Sequence, residues 1–270
     1  MAMRVLGFMT GTSLDACDMA ILETDGRTIE AFGPAGERPL DEPLRALLVR
    51  TISEALAWPR GAAEPEVFSL AADAVAHEHY IAGSEFLKGK GLGWQDLDLI
   101  GMHGQTVLHE RPQSGQPGRT VQLGNGEWLA RATGLPVAYD FRSADVMAGG
   151  EGAPLAPIYH LARARSSGLE APLAVLNIGG VANLTSWSGG DDVVAFDTGP
   201  GNGLIDQWVY ARSGLRFDEG GRLAARGRVD DIRLQGMLTH SYFNAPAPKS
   251  LDRYDFELSE LEGLSLEDGA

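Results

Sequence analysis

Short apolar runs that end in small polar turns recur along the chain and set its organisation. Residues 4–9 (RVLGFM) read as a strand, Thr10-Gly11-Thr12-Ser13 as a turn, and residues 19–22 as a returning strand. The same strand–turn–strand pattern returns at residues 174–185, with Gly179 and Gly180 in the turn. Two readings of this similarity stand: a weak internal repeat, with two related lobes each giving a turn to one cleft, or two ordinary hairpins. A third run, residues 193–196, predicts a buried strand that leaves Asp197 at its carboxyl end. After the Thr198-Gly199-Pro200-Gly201 turn, Leu204-Ile205 and Trp208-Val209 keep i, i+4 helical spacing.

Between these hairpins the pattern alternates. Residues 41–56 predict a helix with Asp41 as N-cap and Pro43 in its first turn, ended by Trp58-Pro59-Arg60-Gly61. A second helix runs over 65–88, carried by Phe68, Ala71-Ala72, Val75 and Ile81, and breaks at 89–93. A strand over 97–102 delivers His103-Gly104-Gln105-Thr106 to a strand end, where ligands bind in open α/β sheets. A polar loop (112–119), a helix over 127–133 stopped by Gly134, a strand over 136–139 ending at Asp140, a hinge-like stretch (148–152) and a helix over 154–164 follow. Ser166-Ser167-Gly168 marks the boundary, giving an N-terminal lobe (1–168) and a C-terminal lobe (169–270). Alternating strands and helices on this scale predict an α/β sheet in each lobe.

The formal net charge of −15 disfavours nucleic acid or an anionic membrane as partner. A polyanionic ligand then requires a metal ion or local positive charge to offset the field. The single cysteine, Cys17, excludes an internal disulfide and a cysteine-based zinc site, and reads as a small buried strand residue. No apolar stretch reaches the length of a membrane span and no signal-peptide pattern opens the chain, so a cytoplasmic location is expected. His77, His79, His109, His160 and His240 show no metal-ligand spacing.

The chemistry concentrates at the turns. Asp197 stands beside a glycine turn and a helix N-terminus whose N–H groups suit phosphate, and a base beside a phosphate cradle is what phosphoryl transfer needs. The alternative is an aspartate that caps the helix or shapes the turn. Gly11, Thr12 and Ser13 offer backbone N–H groups and short hydroxyls to phosphate oxygens. Asp15 and Asp18 are hard oxygen donors that could orient Mg²⁺ through water, although Asp15 could equally only shape its turn. His103 reads as a hydrogen-bonded strand-end histidine rather than a catalyst.

Seven blocks appear in one order: Gly11-Thr12-Ser13-Leu14-Asp15, His103-Gly104-Gln105-Thr106, Gln122-Leu123-Gly124-Asn125, Asp140-Phe141-Arg142, residues 148–155 (AGGEGAPL), Asn177-Ile178-Gly179-Gly180 and Phe196-Asp197-Thr198-Gly199-Pro200-Gly201-Asn202. The series, spanning Gly7 to about Lys249, resembles the anhydro-N-acetylmuramic acid kinase family of the actin, heat-shock ATPase and sugar-kinase superfamily. The resemblance implies a two-lobed actin-like α/β fold, ATP and Mg²⁺ as cofactors, and a homodimer. It implies Asp197 as the general base that activates water against the anomeric carbon of a 1,6-anhydro sugar while O6 takes the γ-phosphoryl group. It further implies ATP contacts along Gly11, Thr12, Ser13, Leu14, Asp15, Ala16, Cys17 and Asp18, and at Gly179, Gly180, Gly199, Gly201 and Asn202. Gln105 and Thr106 of one block and Arg142 and Asp145 after the next strand are expected near the sugar, where an amide such as Gln105 both donates and accepts; Arg142 and Asp145 could instead pair with each other. Two residues depart from the family pattern: Ala16 stands where glycine is usual, which puts a positive φ there in doubt, and Glu151 replaces a usual glutamine.

The end of the chain carries a capping-box pattern at residues 265–268 with only Gly269 and Ala270 after it. Against the family, the glycine-rich adenosine-binding turn and the final helices have no counterpart, so an incomplete second lobe is expected. Two functions follow: an ATP-dependent kinase acting on 1,6-anhydro-N-acetylmuramic acid in cell-wall recycling, or a truncated, silent module that binds sugar and phosphate. A different sugar kinase of the superfamily is disfavoured by the blocks at 103–106 and 148–155.

Overall fold

A computed structural model of the chain describes residues 1–11, 13–110, 112, 115–190, 192–247, 249, 251, 256 and 258–270. These residues form two compact units, Met1–Leu155 and Ala156–Ala270. In the first, the chain order is β1 (Met3–Thr10), β2 (Ala16–Thr24), β3 (Ile29–Pro39), α1 (Glu42–Ala57), α2 (Glu66–Gly89), β4 (Leu99–Met102), β5 (Gln105–Glu110), β6 (Arg119–Leu123), α3 (Gly126–Thr133), β7 (Val137–Tyr139) and α4 (Ser143–Met147).

The main sheet has the order β3-β2-β1-β4-β7. β1, β2 and β3 run antiparallel in succession, whereas β4 lies parallel to both β1 and β7. Alternation along β1 and β2 sends Leu6, Phe8, Thr10, Cys17, Met19 and Ile21 to the buried face. There they meet Ala82, Phe86 and Leu87 of α2 and Leu129 of α3. A second cluster joins Leu44 and Leu48 of α1, Phe68, Ala71 and Val75 of α2, and Val107, Leu108 and Leu123 of the β5–β6 hairpin. Each fully buried Leu here contributes roughly 1.5–3 kcal/mol relative to exposure.

The local signals in the sequence act as expected in several places. The Asp41 carboxylate accepts from the Leu44 N–H at 2.9 Å and starts α1, a cap worth about 1 kcal/mol. α3 stops at Gly134. Three elements escape the hydrophobic pattern: β3, the β5–β6 hairpin and the five-residue α4. β3 carries glycine and proline and exposes most of its side chains, so no alternation marks it.

The second unit holds α5 (Ala156–Ser166), β8 (Leu173–Ile178), β9 (Val181–Trp187), β10 (Val193–Pro200), α6 (Asn202–Ser213), α7 (Asp231–Met237) and α8 (Ser241–Asn244). β8, β9 and β10 form an antiparallel meander. The unit begins ahead of α5, at Ala156, whereas the Ser166-Ser167-Gly168 stretch predicts a boundary after Gly168. The reason is packing: α5 contacts β9 and β10, with His160 Nδ1 at 2.8 Å from Thr185 Oγ1. β10 differs from the buried strand expected, because Val194 is 49% exposed and the flanking residues are only half-buried. On the same face Leu176 and Ile178 of β8 are 56% and 62% exposed. The buried cluster of this unit is small and centres on Trp208, Val209 and Leu223. Among the described residues no helix is long and apolar enough to cross a membrane.

One buried group in the first unit is out of place. His79 of α2 is fully buried, stacks on Phe8 at 4.9 Å, and has no hydrogen-bond partner for either ring nitrogen among the described residues. Burial pushes its pKa down to about 3. The folded chain therefore holds this ring neutral while the unfolded chain protonates it below about pH 6.5. Its contribution is present above that value and is lost as pH falls, by about 1.4 kcal/mol per unit down toward pH 3. His79→Phe keeps a ring against Phe8 and removes the titration. Urea unfolding from pH 7.5 to 5.5 should show a clear loss of stability in the natural chain and a shallower loss in the variant; equal slopes would contradict the assignment.

Candidate functional site

The parallel pairing of β1, β4 and β7 brings three carboxyl strand ends to one edge of the sheet, at Thr10, Met102 and Tyr139. At the first, the turn is closed by Leu14 N–H donating to the Gly11 carbonyl at 3.2 Å. The Ser13 hydroxyl donates to Asp15 Oδ1 at 2.6 Å, and that oxygen also accepts from the Ala16 N–H at 2.9 Å. Asp15 thus shapes the turn. The positive φ of this segment falls at Leu14 (54°), not at Ala16, which begins β2 in extended conformation. Thr12 lies outside the described residues.

Ala16, Cys17 and Asp18 lie in β2, paired with β1 on one side and β3 on the other. The backbone there serves the sheet, and the Cys17 side chain is fully buried, its thiol pushed up to about 12 chiefly by burial. Of these three, only the Asp18 side chain is exposed. Its pKa is raised, by partial burial first and then by Glu37 and Asp15. Among the described residues no group of three or more His, Cys, Asp or Glu side chains gathers to hold a metal. Asp15 in the turn and Asp18 on the exposed side of β2 are carboxylates that suit a Mg²⁺ keeping most of its ligands from water and phosphate.

The second and third strand ends are tied by a chain of hydrogen bonds. The Gly104 carbonyl accepts from Thr10 Oγ1 at 3.0 Å and from His103 Nδ1 at 2.9 Å. Arg142 reaches His103 Nε2 through Nη2 at 3.1 Å and donates through Nη1 to the Gly152 carbonyl at 2.7 Å. Asp145 Oδ2 accepts from the N–H of the same glycine at 2.7 Å. Arg142 and Asp145 therefore grip the two sides of Gly152. Only glycine fits there: φ is +69° and a Cβ would stand 2.7 Å from Val146. Burial lowers the pKa of Arg142. Gln105 is fully buried, with Nε2 donating to the Thr106 carbonyl and Oε1 without a partner among the described residues. Thr106 is half-buried opposite Gln122, and Glu151 is exposed.

In the second unit, Asp197 lies on β10 at a bulge between Asp197 and Gly199. Its N–H donates to the Lys249 carbonyl (2.9 Å), its carbonyl accepts from the Tyr242 hydroxyl (2.7 Å), and Oδ2 accepts from the Leu251 N–H (2.8 Å). Oδ1 accepts nothing among the described residues. Lys249 Nζ donates to the Tyr242 carbonyl at 2.8 Å and lies 4.7 Å from that ring. Sequence reasoning missed these supports of Asp197, since Tyr242, Lys249 and Leu251 are distant in the chain and belong to no spaced motif.

The glycine turns meet each other. The N–H groups of Gly201, Asn202 and Gly203 donate to the carbonyls of Gly180, Gly179 and Gly180 at 3.0, 2.8 and 3.2 Å. A Cβ on Gly201 would stand 2.0 Å from the Gly179 carbonyl oxygen. The close approach that demands glycine at 201 is thus backbone on backbone. The first donors of α6, expected to be open to phosphate, are already engaged, while Gly199 is packed against Phe243.

The family model described as "Anhydro-N-acetylmuramic acid kinase" matches residues 3–267. A protein of that name from Phenylobacterium zucineum is 66% identical over 266 residues, 98% of this chain and 72% of the relative. One from Caulobacter vibrioides is 62% identical over 268 residues, 99% of this chain and 72% of the relative. A solved exopolyphosphatase-like protein is 14% identical with a TM-score of 0.34, covering 74% of this chain and 52% of that one, too remote to bear on the fold. With a family match over nearly its whole length and these identities, the chain belongs to the anhydro-N-acetylmuramic acid kinase family of enzymes.

Proposed function

We propose that this kinase opens 1,6-anhydro-N-acetylmuramic acid and phosphorylates it in one step, giving N-acetylmuramic acid 6-phosphate in cell-wall recycling. Water attacks the anomeric carbon and the C1–O6 bond breaks. O6 forms its bond to the γ-phosphorus of ATP as ADP leaves. Asp197 takes one proton of the attacking water, and the other stays on the new C1 hydroxyl. The observation that carries this reading is the carboxylate of Asp197: one oxygen is held by the Leu251 N–H, and the other has no hydrogen bond among the described residues. A fixed carboxylate with one open oxygen is the arrangement of a general base.

In this reading Gly11, Ser13, Leu14 and Asp15, with Thr12 and Asp18, serve the nucleotide phosphates. Asp15 and Asp18 would hold Mg²⁺ through water, where it supplies charge neutralisation between phosphate oxygens. Gly179, Gly180, Gly199, Gly201 and Asn202 shape the second turn. Arg142, Asp145, Gln105 and Thr106 serve the sugar, and Gln105, being fully buried, reaches it only if β5 opens locally. Assembly as a homodimer belongs to the same reading.

A second reading, a silent binding module, draws on one observation: the first α6 donors are spent on the Gly179 and Gly180 carbonyls. Turnover separates the two. Asp197→Asn keeps the shape of the side chain and removes the base. It should lower turnover about 10² to 10⁴-fold while sugar affinity, measured by calorimetry, is largely kept. Near-normal turnover by that variant, or no turnover by the natural chain, would overturn the kinase assignment of these residues.

The two turns should respond differently to substitution. Gly201→Ala forces a Cβ into the Gly179 carbonyl, so it should lower the melting temperature and nucleotide affinity together. Ser13→Ala removes an exposed hydroxyl and should weaken binding of an ATP analogue with a stability change within about 1 kcal/mol. A loss of sugar affinity alone in the Ser13 variant would mean that the turns are assigned to the wrong ligand.

A further inference from the structure

His103 carries more constraint than a strand-end histidine needs. Its Nδ1 faces a carbonyl, Gly104 O at 2.9 Å, which only accepts. Nδ1 therefore carries the proton. Its Nε2 faces the Arg142 guanidinium at 3.1 Å, which only donates, so Nε2 must be the lone-pair nitrogen. Both partners are satisfied by one tautomer of the neutral ring and by no other state. The same guanidinium holds the Gly152 carbonyl, while Asp145 holds the Gly152 N–H. A break at His103 thus frees one of the two grips on the turn.

We propose that His103 is a positioning residue of the sugar side of this enzyme: as a neutral Nε2 acceptor it aims Arg142 at the Gly152 carbonyl and fixes the 149–152 turn. The link to the sugar rests on the reading of Arg142 and Asp145 given above; the link to the turn does not. Protonation of His103 places an N–H against the guanidinium N–H groups and a positive charge against a positive charge. The bond is lost, Arg142 is no longer aimed at the Gly152 carbonyl, and the turn is loosened on that side while Asp145 still holds the Gly152 N–H.

The surroundings favour the neutral ring. His79 from α2 and Arg142 ahead of α4 are the titratable groups facing it, the Thr10 hydroxyl shares the Gly104 carbonyl, and no carboxylate hydrogen-bonds the ring among the described residues. Burial lowers the pKa of His103, the Gly104 hydrogen bond opposes it in part, and the Arg142 charge adds a smaller lowering effect. Release of the turn therefore comes on acidification.

The test is amide hydrogen exchange across residues 149–153 in the sugar-free full chain, corrected for intrinsic rates. It is run above and below the His103 titration midpoint, which imidazole ¹⁵N NMR reports together with the tautomer. Three proteins are compared: the natural chain, His103→Gln, whose amide oxygen accepts from Arg142 but does not titrate, and His103→Phe, which has no acceptor. The natural chain should lose protection at the Gly152 amide by about tenfold below the midpoint. The Gln variant should keep protection at both pH values and the Phe variant should lack it at both. An Nε2–H tautomer, protection in the Phe variant equal to that of the natural chain, or protection in the natural chain that does not change across the midpoint would each overturn the proposal. Sugar KM is then read separately: a rise below the midpoint in the natural chain but not in the Gln variant, with kcat little changed, supports the link to substrate. An unchanged KM alongside the predicted exchange pattern removes the sugar reading of Arg142 and leaves the positioning role standing.

Discussion

The parallel insertion of β4 between β1 and β7 is the constraint from which the first unit's site follows. Its register, with Ile100 opposite Leu6 and Val137, aligns three carboxyl strand ends along one edge, so that His103 and Gly104, just past β4, bond to both neighbours. A one-residue slip would turn Ile100 and Met102, both buried, out of the core and send Gly101 inward. Core packing on α2 and α3 therefore holds the polar edge in place. Thr10 on Gly104, His103 on Arg142, and Arg142 with Asp145 on Gly152 are consequences of that alignment.

The second unit uses a different device. Its three strands form a plain meander with one face partly exposed, and its buried cluster is small. Order at the Asp197 end of β10 comes from backbone contacts: the Gly179 and Gly180 carbonyls cap the start of α6, and Lys249 and Leu251 pair along Asp197. Glycine at 201 and 203 permits this approach, since a Cβ at either would meet the Gly179 or Gly180 carbonyl. The same contacts bear on ligand chemistry, because a helix start already capped by carbonyls offers phosphate fewer donors than the sequence suggests.

Much of this was legible in the sequence where a local rule decides the outcome. The Asp41 cap, the long apolar stripe of α2, the stop at Gly134 and the 174–185 hairpin all follow from residue type and spacing. β3 was not legible because most of its side chains are exposed, and the β5–β6 hairpin was not because Val107, Leu108 and Leu123 gain burial from α1 and α2 rather than from their own alternation. Asp197 stands out in the sequence as a candidate by its setting, yet its supports Tyr242, Lys249 and Leu251 became visible only through tertiary contacts. His79 sits at an ordinary core position of an amphipathic helix. Nothing in the pattern distinguishes a ring whose nitrogens have no partner among the described residues from the hydrophobic residue that usually fills such a place.

The proposed reaction is water attack at the anomeric carbon while O6 is phosphorylated. Turnover in ¹⁸O-labelled water, quenched before the anomeric oxygen exchanges with solvent, tests it most directly. One ¹⁸O is expected at C1 of the product sugar and none in its phosphate ester. Label in the phosphate, or a product whose C1 oxygen is unlabelled, would contradict it.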